Sequence, residues 1–277
     1  MPSETPACDP TPAPPIAQLV ADARRGDRAA LEALLSAVAP AVHRFGLRMC
    51  RHDADADDVL QDTLIAITHG LDGFAGRASF TSWAFALARS ACVRRRRGLK
   101  NQPPAPDPHP DARADEAPNP EACASDGELA RVVVRALDTL AEEQREVLVL
   151  RDVEELSARE AAEALGVSEG ALKSRLHRAR AALRAALRPW LEAPQVEVAR
   201  ICPDVVALWS QKLDGDLSAV DCARMEAHVA SCDACATACD ALKRALSACR
   251  SARAAAVPPS VQERVRVAAR AFVGTDR

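Results

Sequence analysis

Tyrosine is absent from this chain, and other aromatic residues and glycine are scarce. Of its 277 residues, aromatic side chains make up 3%, and glycine occurs 11 times. Alanine, leucine, valine and arginine dominate instead, and alanine and straight-chain residues lose little conformational entropy in a helix. The composition therefore predicts an all-α fold, and the length predicts about two domains or three small ones.

Long apolar runs and a secretory signal are also missing. No stretch approaches the roughly 20 apolar residues that span a bilayer, and the first residues form neither a basic nor an apolar segment. We therefore expect no membrane insertion and a cytoplasmic location. In that reducing compartment the 10 cysteines indicate metal binding or thiol chemistry rather than a disulfide framework. The formal net charge of -3 does not indicate a polyanionic partner. Binding of nucleic acid therefore has to be inferred from local clusters of charge.

Changes in composition divide the chain into six segments. Proline-rich stretches without an apolar face predict disorder, whereas apolar residues at helical spacing predict helices. The predicted segments are a disordered arm 1–15, a helical unit 16–99, a flexible linker 100–127, a second helical unit 128–190, a cysteine-rich module 200–250, and a tail 251–277 in which Val261, Val265, Ala268 and Phe272 can line one more amphipathic helix.

Residues 155–188 predict a helix-turn-helix that ends in a basic helix. Ser157 and Glu160 form a capping box, Gly166 suits the left-handed position that ends a helix, and Ser168 caps the next helix. Such a second helix enters the major groove with its N-terminal part. A solvated arginine-rich helix is the plainer alternative. The candidate DNA contacts are Ser168, Gly170, Ala171, Lys173, Ser174 and Arg175 near bases, and His177, Arg178, Arg180, Arg184 and Arg188 near phosphates.

A second basic segment, residues 89–100, contains six cations and no anion. It follows a cluster of aromatic residues at 74, 80, 83 and 85. Bases of melted DNA stack on aromatic rings while phosphates meet cations, although the rings could equally be core and the arginines a solvated helix end. The candidate contacts in this part of the chain are Trp83, Arg89, Arg94, Arg95, Arg96 and Arg97.

These segments together resemble the extracytoplasmic-function (ECF) sigma factors. The stretch DADADDVLQDTLIAI resembles their region 2.2, and FAGRASFTSWAFALARSACVRRRRG resembles regions 2.3 and 2.4. The stretch from LAEEQREVLVLRD to HRARAALR resembles region 4 along its whole length. The likeness covers roughly residues 16–97 and 128–188, so it identifies 16–99 as sigma region 2 and 128–190 as region 4.

The resemblance implies partners, which are promoter DNA and RNA polymerase core with its β′ clamp helices and β flap. A loop around Arg77 would capture a flipped −10 base, residues 82–97 would contact the −10 element, and residues 168–180 would read the −35 element. No catalysis by this chain is implied. Ala158 and the small loop 75–79 depart from the family pattern and leave the preferred promoter open. The residues implied to dock on the clamp helices, which would also begin an amphipathic helix, are Asp57, Asp58, Leu60, Gln61 and Asp62.

The cysteine-rich module contains the pattern H-x3-C-x2-C at His228, Cys232 and Cys235. Helical spacings of four and three place these side chains on one face, and Cys202 is the best fourth ligand. Three thiolates and one imidazole suit a closed tetrahedral zinc site, and zinc would stabilise a module with so thin a core. Zn²⁺ is therefore the predicted cofactor, and another transition metal could act as a signal. The additional cysteines, which could join this site or be small buried hydrophobes, are Cys222, Cys239 and Cys249.

This module resembles the zinc-finger domain of zinc-binding anti-sigma factors, in which a cysteine, a stretch like LWSQKLDGDLS and H-x3-C-x2-C recur. The resemblance implies the same four ligands and a metal- or redox-responsive regulation in cis, which could mask or complete the sigma surface. A separate anti-sigma factor is a further candidate partner. A standalone helix-turn-helix regulator with a structural zinc domain is the main alternative. A zinc enzyme is disfavoured, since four protein ligands leave no open position and H-E-x-x-H is absent.

Overall fold

The computed structural model describes residues 14–50, 52–99, 126–187, 202–251 and 259–271, and within them it contains helices and no strand. The all-α prediction is confirmed. Most of the predicted arm and linker, and Phe272 and Arg188, lie outside the described residues. The helices are α1 (Ile16–Arg24), α2 (Arg28–Met49), α3 (Asp53–Gly70), α4 (Phe80–Leu99), α5 (Asp126–Thr139), α6 (Glu142–Leu148, continued by a π-helical turn Val149–Val153), α7 (Ala158–Leu165), α8 (Glu169–Leu187), α9 (Val205–Leu213), α10 (Ala219–Ser231), α11 (Asp233–Ser251) and α12 (Pro259–Ala271).

Local capping signals define the helix-turn-helix formed by α7 and α8. The Ser157 hydroxyl accepts the Glu160 N–H at 3.2 Å, and the Glu160 carboxylate accepts the Ser157 N–H at 3.0 Å. Gly166 ends α7 with a φ of 66°, in the left-handed region that favours glycine. The Ser168 hydroxyl then accepts the Ala171 N–H at 3.2 Å. The predicted capping box, left-handed glycine and second cap are all confirmed.

Apolar helix faces build a core that runs from α1 through α8 and includes α12. Within α2, α3 and α4, Leu34, Leu60 and Phe85 are at most 2% exposed, and the rings of Phe45 and Phe85 meet edge to face at 5.6 Å. The expectation that Leu60 contacts a partner is therefore corrected. Its side chain faces the core at 0% exposure, so it supports α3 from within. Among the described residues, none of the helices is long and apolar enough to span a bilayer.

Two cysteines that look isolated along the chain lie in contact in this core. The Sγ atoms of Cys50, at the end of α2, and Cys92, within α4, are 3.8 Å apart. Both residues are buried. Burial and the contact with Cys50 raise the pKa of the Cys92 thiol, so this residue is a small hydrophobe at the α2–α4 packing.

Buried ion pairs attach α6 and the residue after its π-helical turn to α2 and α4. Arg44 donates from Nε and Nη2 to the two carboxylate oxygens of Glu154, at 2.9 and 2.6 Å. Arg89 Nε donates to Glu146 at 3.0 Å. The two glutamate side chains are only 1% and 2% exposed. Burial raises the pKa of Glu146, while Arg89 opposes that change. The carboxylates therefore depend on arginines of the other helical unit for their charge balance.

We expect Arg44→Ala to lower the free energy of unfolding by about 3 kcal/mol, because Glu154 would remain buried without its charged partner. Urea denaturation measures this change. Arg159→Ala is the matched control, since Arg159 is 72% exposed and pairs with Glu163 along the same helix, and we expect it to leave the free energy of unfolding nearly unchanged. Equal losses in the two variants would contradict a special role for the Arg44 pair.

Candidate nucleic-acid interface and metal centre

The basic helix α8 presents three basic residues on one face, and each lies near an aspartate that flanks α9. The cations follow one another at spacings of four and three residues, which places them on one side of a helix. The aspartates are the N-cap of α9, its C-cap and a residue of the following turn. The pairs are Lys173–Asp216, His177–Asp204 and Arg180–Asp214, whose closest charged atoms lie 2.6, 4.0 and 3.3 Å apart.

Arg180 is the most deeply buried of these cations, at 1% exposure. Its Nε and Nη2 donate to Asp152 at 3.0 and 2.7 Å, and its Nη1 donates to the Ser210 hydroxyl at 2.6 Å. Asp214 also accepts from Arg151 at 2.9 Å. Burial opposes the charge of Arg180, yet the two carboxylates raise its pKa. The expectation that Arg180 meets a phosphate is corrected, because protein groups already take up its donors.

The other edge of α8 is open to solvent. Arg175 is 30% exposed and lies 3.9 Å from Glu143. Lys173 is 34% exposed with Asp216 against it, so its side chain is about as accessible as that of Arg175. The aspartates therefore pair with one edge of the predicted DNA-reading helix without burying Lys173. The predicted residues that are exposed are Ser168, Gly170, Ala171, Ser174 and Arg178.

Some of the arginines predicted to meet the −10 DNA pair with carboxylates of the protein, and the others are exposed to solvent. Those of α4 that bind carboxylates are Arg89 and Arg96, which contact glutamates of α6, and Arg95. Arg95 Nε donates to Asp55 at 2.8 Å, and this bond raises the pKa of Arg95. The remaining three, Arg77, Arg94 and Arg97, are exposed.

Trp83 lies among aromatic residues at the start of α4. Its ring centroid is 5.0 Å from that of Phe74 and 5.7 Å from that of Phe80. A Cβ at Gly70 would lie 3.0 Å from this indole, so any larger residue there would require the ring to shift. Trp83 is half-buried, and its predicted contact with bases would use the part of the ring that Phe74 leaves uncovered.

The acidic residues of α3, predicted to dock on polymerase, have different surroundings. Asp62 is exposed, whereas Asp58 contacts Arg95 of α4. Asp57 and Gln61 both contact Arg264, which belongs to the C-terminal helix α12. The sequence around residue 57 gives no indication of this contact, because Arg264 lies far away along the chain.

Four potential ligands come together where α9, α10 and α11 meet. The ligand atoms of Cys202, His228, Cys232 and Cys235 all lie within 4.8 Å of one another. The Sγ atoms of Cys202 and Cys232 are 4.0 Å apart, and Nε2 of His228 is 3.3 Å from Sγ of Cys235. A tetrahedral zinc site with metal–sulfur bonds of about 2.3 Å has sulfur–sulfur edges of about 3.8 Å. The donor set and its spacing therefore fit zinc.

Helix ends position these ligands. His228 lies in the last turn of α10, Cys232 follows that helix, and Cys235 begins α11. The Cys235 N–H donates to the sulfur of Cys232 and lowers its pKa, whereas burial raises the pKa of Cys235 to about 12. Of the additional cysteines, Cys239 is buried one turn beyond Cys235, and Cys222 lies 3.6 Å from a carboxylate oxygen of Glu226. Cys249 falls within α11.

Three family models match separate parts of the chain. The model described as "Sigma-70 region 2" matches residues 34–102, and "Sigma-70, region 4" matches residues 130–183. The model described as "Putative zinc-finger" matches residues 202–236, which include all four clustered ligands. The first two matches contain α4 and most of α8, the helices that carry the two basic surfaces.

Known proteins resemble about three fifths of the chain. The ECF RNA polymerase sigma factor SigM of Mycobacterium tuberculosis is 36% identical over 169 residues, which cover 60% of this chain and 82% of SigM. The RNA polymerase sigma factor NccH of Alcaligenes xylosoxydans xylosoxydans is 35% identical over 174 residues, 60% of this chain and 91% of NccH. A solved structure of CnrH in complex with the cytosolic domain of CnrY is similar with a TM-score of 0.47 and 31% identity, over 62% of this chain and 96% of that one.

We expect the purified chain to carry one zinc ion per molecule, measured by elemental mass spectrometry. Cys232→Ala removes one of four ligands and should reduce the retained zinc by about tenfold or more after dialysis. Cys222→Ala is the matched control, since that thiol lies outside the cluster, and it should retain the metal. Loss of zinc from both variants alike would contradict the four-ligand set.

Proposed function

The chain belongs to the extracytoplasmic-function sigma factors, and we propose that its own zinc-finger module restrains it by covering one edge of the helix that reads the −35 element. As a sigma factor, the chain binds RNA polymerase core, directs recognition of the −10 and −35 promoter elements and supports transcription initiation. The polymerase catalyses RNA synthesis. We propose that this chain acts together with it in the cytoplasm. Membership in this family replaces the alternative of a standalone regulator.

The exposed residues identified above define the surfaces that we propose for this function. On α3, Asp62 remains accessible to the β′ clamp helices. At the −10 element, the exposed arginines of the loop and of α4 would meet phosphates while Trp83 supports the melted base. At the −35 element, the open edge of α8 with Ser174 and Arg178 would face DNA. A separate anti-sigma factor stays a prediction from the sequence.

The observation that carries the proposed restraint is the ion pair of Lys173 with Asp216, beside the buried pair of Arg180 with Asp214. Asp216 occupies a cation that a phosphate would otherwise use, and the buried pair holds α9 against α8. Phosphate contacts provide much of the affinity of a DNA-binding helix, and each one lost also reduces the salt dependence of binding. The module therefore competes with the promoter for the same donors.

The predicted metal site is connected directly to these aspartates. Cys202 lies two residues before Asp204, and Val205 is buried against Cys235 and Cys239. Zinc would tie Cys202 to the ends of α10 and α11 and so fix the start of α9. Since Asp214 ends the same helix, loss of the metal would loosen the acidic residues at both ends of α9. We propose that the module inhibits when it holds zinc and releases α8 when metal or thiolates are lost.

We expect the double substitution Asp214→Asn and Asp216→Asn in the full chain to raise promoter affinity about tenfold, because Lys173 would lose its competing carboxylate and Arg180 would hold α9 less firmly against α8. Run-off transcription with core polymerase and fluorescence anisotropy on a promoter fragment measure this change. The matched control replaces two other aspartates of the module with asparagine. These are Asp221 and Asp240, which pair with residues of their own helices.

A chelator tests the link between metal and restraint. It should activate the unaltered chain and the control, and should change the Asp214 and Asp216 double variant much less, because that variant is already released. A truncation after Arg188, which lacks the module, provides the reference for full release. Equal promoter affinity in the double variant and its control would contradict the proposed masking of α8.

A further inference from the structure

The C-terminal helix α12 packs on α2 and α3, which lie near the other end of the chain. Four of its residues repeat at spacings of four, three and one and form a single apolar face. Each is at most 3% exposed and belongs to the same core as α2 and α3. The opposite side of α12 is exposed, including Arg266 and Val267. The apolar face consists of Val261, Val265, Ala268 and Ala269.

Arg264 adds polar contacts at the edge of this apolar face. Its Nη1 donates to Oε1 of Gln61 at 2.7 Å, and its Nη2 lies 3.0 Å from Oδ2 of Asp57. Asp57 and Gln61 are one helical turn apart on α3, so a single guanidinium reaches both. Arg264 is 24% exposed, and its charged group is therefore held against α3 rather than extended into solvent.

We infer that this face of α2 and α3 is a docking surface for an amphipathic helix that carries an arginine, that α12 occupies it in the free chain, and that polymerase core has to displace α12 in order to bind. The inference rests on the proposed function, since it takes Asp57 and Gln61 as contacts of the β′ clamp helices. It extends that function from the DNA-reading helix to the polymerase-binding surface of the same chain.

The polar contacts make the two occupants mutually exclusive. Asp57 meets His43 through Oδ1 at 3.1 Å and Arg264 through Oδ2, so both of its oxygens have partners. The carbonyl oxygen of Gln61 accepts from Arg264 as well. A polymerase cation or amide that approaches these atoms would therefore have to replace Arg264 before it could form its own contacts.

The composition of α12 favours displacement over permanent attachment. Its buried face contains two valines and two alanines, which remove much less apolar surface from water than leucines would. The single arginine makes a partly exposed ion pair, whose net contribution is small. A weak cover of this kind reduces the apparent affinity for polymerase by the fraction of time for which the face is open.

Two substitutions in the zinc-loaded full chain test this inference. Val265→Asp places a charge in the apolar face, and Arg264→Glu places a carboxylate against Asp57. Arg266→Glu is the matched control, because Arg266 is 56% exposed and pairs only along its own helix with Glu263. Hydrogen–deuterium exchange of residues 259–271 reports whether α12 is docked, and fluorescence anisotropy with labelled protein reports the dissociation constant for core polymerase.

We expect Val265→Asp and Arg264→Glu to lose the protection of residues 259–271 and to bind core about tenfold more tightly, as for a face that is open about a tenth of the time. Arg266→Glu should stay within about twofold of the unaltered chain. If protection falls while all forms bind core equally, the inference is overturned and the proposed function stands. If protection does not change in either variant, α12 is not a separable cover. If no form binds core at all, the proposed function fails and the inference fails with it.

Discussion

The buried guanidinium of Arg180 needs carboxylates around it, and the placement of the C-terminal module depends on that need. A charge removed from water is tolerated only when it is paired and hydrogen-bonded. Asp152 supplies one partner from the π-helical turn next to the helix-turn-helix, and Asp214 supplies the second from the module. Asp152 lies on the same side of the contact as Arg180, outside the module, so Arg180 would keep one counter-charge if the module left. Opening of the contact as proposed would then not leave an unpaired buried ion.

The C-terminal part of the chain contacts α8 with carboxylates and α3 with an arginine. On α8, Asp216 pairs with Lys173, a cation that we propose would otherwise meet a phosphate of DNA. On α3, Arg264 pairs with Asp57, a carboxylate that we propose a polymerase would contact. Both pairs are partly exposed, and such pairs contribute little individually. In the proposed function each contact would therefore weaken binding of DNA or polymerase without preventing it.

Local features of the fold could be predicted from the sequence, and distant pairings could not. The capping box at Ser157 and the left-handed Gly166 follow from rules that involve only a few neighbouring residues. The pattern from His228 to Cys235 likewise predicts that these ligands cluster, but they lie on consecutive helix ends and not on one face of a single helix. By contrast, the sequence around an arginine does not show which carboxylate it pairs with. Arg180 finds Asp214 and Arg264 finds Asp57 only after helices have packed, because burial and tertiary distance decide which carboxylate each cation reaches.

The connection of the module to α8 within one chain has a consequence for dosage. A separate inhibitor binds according to its concentration, and its hold weakens when both proteins are diluted. Here the aspartates around α9 belong to the same molecule as Lys173 and Arg180, so their local concentration is set by the intervening chain. Each newly synthesised copy brings its inhibitor in a fixed ratio of one to one. If the module restrains α8 as proposed, overproduction or dilution of the chain would not by itself change the fraction of molecules in which the module is docked.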